Sequence, residues 1–340
     1  MTTAGPPQGA KAAPRRAARA RGDPASGALR WGLAVVVVAV LAAVPWIGSP
    51  SLIQFGISTL LLATLAQGWN IIGGYAGYAS FGNSVFYGLG SYGTAVAMVQ
   101  WNLPFGVGLA LGAVVAVVFA VVLGIPVLRL RGHYFAIATL ALAQVMAAVI
   151  SNLEIAGRNT GLVLPLLKGD ALFYELSLGL LALATLIVAW VANSRFGYGL
   201  IAIREDEDAA SAIGVNATLQ KVVAFALAGL LSALAGGIHA YWITFIDPAS
   251  AFDISLNVKM IIMAVFGGAG SVFGPVIGAF VLSAISEVLA SEVSTVASLF
   301  FGIVIVVAVV LMPRGLADLV RHYRSAGWRY FRDNVRAHRV

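Results

Sequence analysis

The sequence predicts an all-α protein that crosses a membrane about ten times, with some helices short or broken. Hydrophobic residues make up 60% of the chain and charged residues only 10%, whereas about a quarter of the residues in ordinary soluble domains are charged. That leaves too little polar surface to solvate a globule of 340 residues. The apolar residues also fall into runs near the length of about 20 residues that a helix needs to cross a bilayer. The chain is therefore predicted to be a polytopic helical membrane protein.

Both ends of the chain are predicted to lie outside the membrane. Residues 1–30 are rich in Pro, Ala and Arg, a composition typical of disorder, and residues 313–340 form a basic tail. Lys and Arg beside membrane spans are retained in the cytoplasm, so both termini are predicted to be cytoplasmic. The net charge of +7 is concentrated in these ends, which favours attraction to anionic lipids over nucleic-acid binding. A cleaved signal peptide is less well supported, because no small-x-small cleavage site follows the first apolar run.

The region between the ends, residues 31–312, is predicted to be the transmembrane domain. Ten spans are predicted at 31–48, 51–72, 82–100, 104–128, 133–152, 172–192, 219–243, 256–267, 274–292 and 296–312. An even number agrees with two cytoplasmic termini. The distribution of Lys and Arg over the connections then places residues 153–171 outside and residues 193–218 inside.

Two glycine-rich stretches each join an apolar run to a helix rich in small residues. The first glycine phrase is residues 73–82 and the second is residues 267–275. The run before the second, 256–267, is only about 18 Å long as a helix, so it is predicted to be broken or tilted. Irregular backbone at such a place is tolerated only where protein or a water-filled cavity satisfies its polar groups. Both phrases are predicted on the inner side, as parallel internal repeats or as independent enrichment of small residues in packed helices.

A polar segment lies between two apolar runs at 193–218, and it contains the four consecutive acids of 205–208. Its size fits a short helix outside the bilayer. The alternatives are a docking element that another protein contacts and an ordinary solvated connector.

Asp208-Ala209-Ala210, followed after three residues by Gly214, resembles the Glu-Ala-Ala-x-x-x-Gly loop by which permease subunits of ABC importers dock on their ATPases. Three further phrases, 74–82, 128–137 and 267–275, occur in the same order as in the LivM-type permeases of branched-chain amino-acid importers. The resemblance covers roughly residues 50–315. It departs at His133, where an acid is expected, and in the outer loop 156–161, which differs from Thr-Gly-Gly-Thr-Asn-Gly.

The resemblance implies an ABC importer permease fold in a bacterial cytoplasmic (inner) membrane and transport of leucine, isoleucine and valine. Relatives in the superfamily carry urea, sugars or other amino acids, and these substrates stay open. It further implies a second, homologous permease subunit, two ATP-binding subunits and a periplasmic or lipid-anchored substrate-binding protein. No cofactor is expected on this chain, because none of its lysines follows a glycine as in a phosphate-binding loop, so ATP is expected on the partners.

Other classes of protein are less well supported by the sequence. The chain has no cysteine, and its four histidines are too far apart to form a helical ligand pair, so no metal site is predicted. No Gly-x-Ser-x-Gly or HExxH motif suggests an enzyme. A channel or an ion-coupled transporter needs no ATPase and stays an alternative.

Two sets of residues follow as candidate functional sites. The coupling set is Arg204, Glu205, Asp206, Glu207, Asp208, Ala209, Ala210 and Gly214. The pathway set is Gly77, Ser80, Gln144, Gly267, Gly268, Gly270, Ser271, Gly274, Ser283 and Glu287. Gln144 belongs to it because it lies about 16 Å into its span, near the midplane. Glu287 belongs to it because a carboxylate is costly to bury in lipid.

Overall fold

The computed structural model describes residue 32 and residues 38–167 and 169–292. The predicted disordered segment 1–30, the predicted span 296–312 and the predicted tail 313–340 lie outside these residues. The chain divides into two compact units, residues 1–41 and 42–340. The second unit contains the helix bundle and both candidate sites.

The described part of this unit is built almost entirely from helices, as predicted. The first six are α1 (Val44–Ile47), α2 (Pro50–Trp69), α3 (Asn83–Val99), α4 (Phe105–Val127), α5 (His133–Asn152) and α6 (Asp170–Asn193). The next six are α7 (Arg195–Glu205), α8 (Glu207–Ala212), α9 (Ala217–Ile243), α10 (Pro248–Ala251), α11 (Ile254–Gly267) and α12 (Gly274–Glu292). Two strands of two residues, β1 (Leu162–Val163) and β2 (Phe245–Ile246), pair antiparallel, with Leu162 opposite Ile246.

Six helical segments of the described chain are long and apolar enough to cross a membrane. They are Pro50–Tyr75, Phe105–Val127, His133–Asn152, Asp170–Asn193, Ala217–Ile243 and Pro248–Gly267. The predicted count of ten is therefore not confirmed. Helix α3, with 17 residues, is shorter than these six, and the apolar stretch of α12, Gly274–Val288, is shorter too.

The apolar run that was predicted to be too short to span is preceded by a break. Helices α10 and α11 are separated by Phe252 and Asp253. The carboxylate of Asp253 accepts a hydrogen bond from the backbone N–H of Ser255 at 2.9 Å, which satisfies a free donor at the start of α11. With α10 included, the segment reaches 20 residues.

Helix α9 lies at the centre of the fold and packs against α2, α3, α4 and α6. Small residues allow this close packing: a Cβ atom at Gly90 of α3 would lie 2.1 Å from the carbonyl oxygen of Ala233 in α9. Likewise, a Cβ atom at Gly93 would lie 2.5 Å from the Cα of Gly112 in α4. Such contacts compensate for the weak hydrophobic driving force between helices in lipid.

The connections gather at two opposite ends of this helix bundle. At one end, the β1–β2 pair joins the segment after α5 to the segment after α9. At the other end, the segment after α4 meets α8 and the first turn of α9. The stretches 153–169 and 193–218 therefore lie at opposite ends, in agreement with the predicted alternation. Which end faces the cytoplasm stays a prediction.

Candidate functional site

The two glycine phrases contact each other through the end of α2. Beyond Trp69 the helix continues as a wider π-helix, Asn70–Tyr75. From this turn the amide of Asn70 donates to the carbonyl of Ser271 at 2.9 Å and accepts from the N–H of Gly270 at 2.7 Å. One turn earlier, Gln67 donates to the carbonyl of Val272 at 2.8 Å. Side chains of α2 thus satisfy the backbone of the second phrase, as irregular backbone in a membrane protein requires.

The second glycine phrase forms the tight turn that was predicted between α11 and α12. Gly268 and Gly270 have φ angles of 116° and 78°, a region that glycine adopts without steric cost. Ser271 stabilises the turn: its hydroxyl donates to the carbonyl of Gly268 at 2.7 Å and accepts from the N–H of Gly274 at 3.1 Å. A Cβ atom at Gly267 would lie 1.9 Å from the carbonyl oxygen of Gly274. The geometry of the turn is confirmed, and its place on a transport pathway stays a prediction.

Arg204, which the sequence assigned to the coupling set, lies against both glycine phrases. Its guanidinium donates to the carbonyl of Gly74 at 3.0 Å. Gly77 has a φ of 77°, and a Cβ atom there would lie 2.5 Å from Cγ of Arg204. A Cβ atom at Gly270 would lie 3.3 Å from a guanidinium nitrogen of the same arginine. The second terminal nitrogen of the guanidinium forms an ion pair with Glu205 at 3.0 Å. Arg204 therefore joins the polar segment to both phrases.

The polar segment contains the short helix that was predicted, α8. Asp206 caps it by accepting from the N–H of Ala209 at 2.9 Å. The acids in its first turn stabilise the helix by interacting with the positive end of its dipole. Ala209 is exposed, and Ile213, just beyond the helix, is 78% exposed. Gly214 has a φ of 89° and no atom within 4 Å of a Cβ position. These residues give an open outer surface to the segment 205–214, which we call the docking segment.

Two members of the coupling set face the body of the chain rather than this open surface. Ala210 is buried against Ile203 and Ala217, and the carboxylate of Glu207 points towards α9. The physical reason is the helical period, which turns only part of a six-residue helix outward. The assignment of these two residues to the coupling set stays a prediction.

Glu207 belongs to a polar group that is buried at Lys221 and open to solvent at Arg131. We call it the lysine cluster: Lys221, Glu207, Tyr78, Arg131 and the carbonyl of Leu128. The ammonium of Lys221, with its side chain only 3% exposed, donates to Glu207 at 2.7 Å, to the hydroxyl of Tyr78 at 3.1 Å and to the carbonyl of Leu128 at 2.9 Å. All three donors of an ammonium group are then satisfied. The nitrogen also lies 4.9 Å from the centre of the Tyr78 ring, a cation–π contact.

Tyr78 and Arg131 complete the environment of Glu207. The Tyr78 hydroxyl donates to the second carboxylate oxygen at 2.5 Å, and Arg131 lies 3.5 Å from that oxygen while forming a two-pronged ion pair with Asp208. Burial by itself raises the pKa of Glu207, but the bonds from Lys221 and Tyr78 outweigh it and hold the pKa below its ordinary value. Burial, and then the bond to Glu207, raise the pKa of Tyr78. Glu207 is therefore ionised and Tyr78 is neutral near neutral pH.

The remaining pathway candidates take no part in the hydrogen bonds of the lysine cluster. Ser80 is buried, and its hydroxyl accepts from the N–H of Gly82 at 3.2 Å. Gln144 is exposed on α5. On α12, Ser283 is buried and has no hydrogen-bond partner among the described residues, whereas Glu287 is exposed. Within the described ranges, no three His, Asp or Glu side chains converge to hold a metal ion.

Three residues of the lysine cluster were not assigned a role from the sequence: Tyr78, Arg131 and Lys221. Tyr78 and Arg131 stand inside phrases that had been singled out, but nothing in the phrases shows which residues meet. Lys221 carries a clearer signal, because it is a lone charge at the start of a long apolar helix and follows four acids closely. A charge in such a position needs a partner.

Comparison with known proteins gives consistent results over most of the chain. The family described as branched-chain amino acid transport system, permease component, matches residues 51–309. The high-affinity branched-chain amino acid transport system permease protein LivM of Salmonella typhimurium is 27% identical over 85% of this chain and 75% of its own length. LivM of Escherichia coli is 26% identical over the same shares. The autoinducer 2 import system permease protein LsrC of Photorhabdus luminescens is 30% identical over 32% of this chain and 34% of its own length. No solved structure matches the chain significantly.

Proposed function

Because this chain belongs to the family of branched-chain amino acid transport permeases, we propose that it is one of two permease subunits in an ATP-driven importer of leucine, isoleucine and valine. A substrate-binding protein delivers the amino acid from outside, and two ATP-binding subunits on the cytoplasmic side supply the energy. The match to LivM proteins over 85% of the chain carries this proposal.

The docking segment supports the proposed contact with the ATP-binding subunits. It projects a capped helix whose outer surface offers Asp206, Asp208, Ala209 and the exposed Ile213. The exposed Ile213 beside the capped helix offers such a subunit an apolar contact. Its position at the end of the bundle opposite 153–169 agrees with the predicted cytoplasmic side.

Helix α5 supports the proposed contact with a second permease subunit. Only 22% of the apolar stretch of this helix is buried within the chain, against 78% of the apolar stretch in the segment that contains α2. Its outer surface carries Ile137 and Val145, but also the exposed amide of Gln144. Lipid offers no hydrogen bond to an amide at mid-membrane depth. A partner subunit or the water of a pathway between the two subunits satisfies it better, which also fits the role predicted for Gln144.

The test is purification of the chain from its native host followed by reconstitution in liposomes. Two ATP-binding subunits and a second permease should co-purify, and loaded binding protein should stimulate ATP hydrolysis and uptake of labelled leucine. Unlabelled isoleucine and valine should compete with leucine, and urea should not. A chain that purifies without any ATP-binding subunit, or that carries leucine without ATP, would contradict the proposal.

A second substrate is supported by one specific observation, the match of about a third of the chain to the autoinducer 2 permease LsrC. The same liposomes distinguish the two substrates. Competition by autoinducer 2, with none by isoleucine, would favour this second candidate while leaving the ATP-driven mechanism in place.

A further inference from the structure

The lysine cluster brings four separate parts of the chain to one point. Tyr78 belongs to the first glycine phrase, Leu128 follows α4, Glu207 lies in the docking segment, and Lys221 lies in the first turns of α9. Tyr78 and Lys221 are 143 positions apart, and Leu128 and Lys221 are 93 apart. The cluster is therefore a tertiary junction rather than a local feature of the docking segment.

The ion pair at the centre of the junction is largely shielded from water. The side chains of Lys221 and Glu207 are 3% and 15% exposed, and each polar atom of the pair has a bonded partner at 2.5–3.1 Å. Removing one member of a buried ion pair leaves an uncompensated charge, which is much more costly than breaking a surface pair. Glu207 cannot move outward with α8 unless Tyr78 or Lys221 moves with it.

We propose that Lys221 is a positioning residue that connects the docking segment to the first glycine phrase. It fixes the carboxylate of Glu207 against the hydroxyl of Tyr78, so that a displacement of α8 is passed to Tyr78 and to the Gly74–Gly77 turn before it. That α8 is displaced by an ATP-binding subunit rests on the proposed function. The connection itself is a property of this chain alone.

Tyr78 passes the displacement from the lysine cluster to the π-helix. Its N–H donates to the carbonyl of Ile72 at 3.0 Å, so a shift of Tyr78 acts directly on the end of the π-helix. Asn70 in that π-helix holds Gly270 and Ser271 of the second glycine phrase. The connection thus runs from the docking segment to both phrases.

A purely structural role for the cluster predicts different behaviour. If Lys221 only neutralises Glu207 and anchors α8, the Tyr78 hydroxyl is dispensable, because the ion pair at 2.7 Å survives its loss. If the cluster transmits displacement, the hydroxyl is essential even though α8 stays anchored. Tyr78→Phe separates the two roles with the loss of one oxygen atom. Tyr174→Phe is the matched control, because Tyr174 lies at the start of α6, at the other end of the bundle.

The first measurement is amide hydrogen exchange of the purified full-length chain, which needs no partner. Lys221→Met should accelerate exchange at least tenfold in both 207–212 and 74–80. Tyr78→Phe should do so in 74–80 alone, and Tyr174→Phe in neither. Acceleration confined to 207–212 in Lys221→Met would overturn the proposal. If Lys221→Met unfolds the whole chain, unchanged exchange at 74–80 in Tyr78→Phe would overturn it equally.

The second measurement is the number of leucine molecules taken up per ATP hydrolysed in the reconstituted complex. Tyr78→Phe should assemble and retain ATP hydrolysis stimulated by the binding protein, yet lose uptake per ATP at least tenfold. A ratio within twofold of the unmodified complex would overturn transmission through Tyr78. Failure of the unmodified complex to hydrolyse ATP would instead contradict the proposed function, and the exchange measurement would still decide the connection.

Discussion

The contact between the extension of α2 and the second glycine phrase depends on the side chain of Asn70. Its contribution to the free energy of unfolding can be measured. Asn70→Ala removes the acceptor of the Gly270 N–H and the donor to the Ser271 carbonyl. Both backbone groups lie in a non-helical turn and would lose their partner. A fully buried polar group left without a partner costs about 1–3 kcal/mol. Because these two groups are only partly buried, the two together are expected to cost about 1–3 kcal/mol.

Asn83→Ala is the matched control for this prediction. Asn83 is also fully buried, but neither of its amide atoms has a hydrogen-bond partner among the described residues. Both variants remove the same atoms, so the difference between them isolates the hydrogen bonds. Reversible unfolding in mixed micelles, followed by tryptophan fluorescence, gives the two free energies. A difference below about 0.6 kcal/mol, the average for an interhelical side-chain bond in a membrane, would refute the reasoning.

Three further predictions concern topology, the first glycine phrase and pH. The chain has no native cysteine, so a cysteine at Asn159 should be labelled in intact cells and one at Asp206 only after permeabilisation; the reverse pattern would invert the topology. Gly77→Leu should reduce leucine uptake at least tenfold while the complex assembles, since the new side chain meets Cγ of Arg204 at a positive φ; normal uptake would remove this turn from the mechanism. The pKa of Glu207 is lowered from its ordinary value of 4.5, so its stabilising contribution is complete above that value and is lost as the pH falls through the lowered pKa. Protection of residues 207–212 should therefore be constant from neutral pH down to the ordinary value of 4.5 and decline only below it. A decline that begins near neutral pH would contradict this assignment.

Helix positions were accessible from the sequence because they depend on local composition. The predicted span 133–152 coincides with α5, and the predicted span 274–292 begins where α12 begins, at Gly274. The predicted span 104–128 differs from α4 by one residue at each end. In each case a polar or glycine-rich stretch marks the limit of an apolar run. The turn at Gly268 and Gly270 could be predicted for the same reason. Glycine adopts positive φ angles freely and Pro275 suits the first turn of a helix, so both are local signals in the sequence.

Contacts between distant residues were not accessible in this way. The sequence gives no sign that α2 continues as a π-helix, because the side chain that this turn directs, Asn70, is bonded to residues about 200 positions away. The lysine cluster was missed for the same reason. Arg204 was assigned to docking from its neighbours, and only the fold shows that it also contacts Gly74 and Gly77.

The contact of Asn70 with Ser271 also constrains how the protein can be made. The hydrogen bond spans 201 positions and that of Gln67 with Val272 spans 205. At a synthesis rate of about 5–20 residues per second, roughly 10–40 s separate the emergence of the two partners from the ribosome. During this interval the amides of Gln67 and Asn70 lack these two partners. A chain that ends before residue 270 lacks them permanently, so it leaves two polar side chains of a predicted span without these hydrogen bonds.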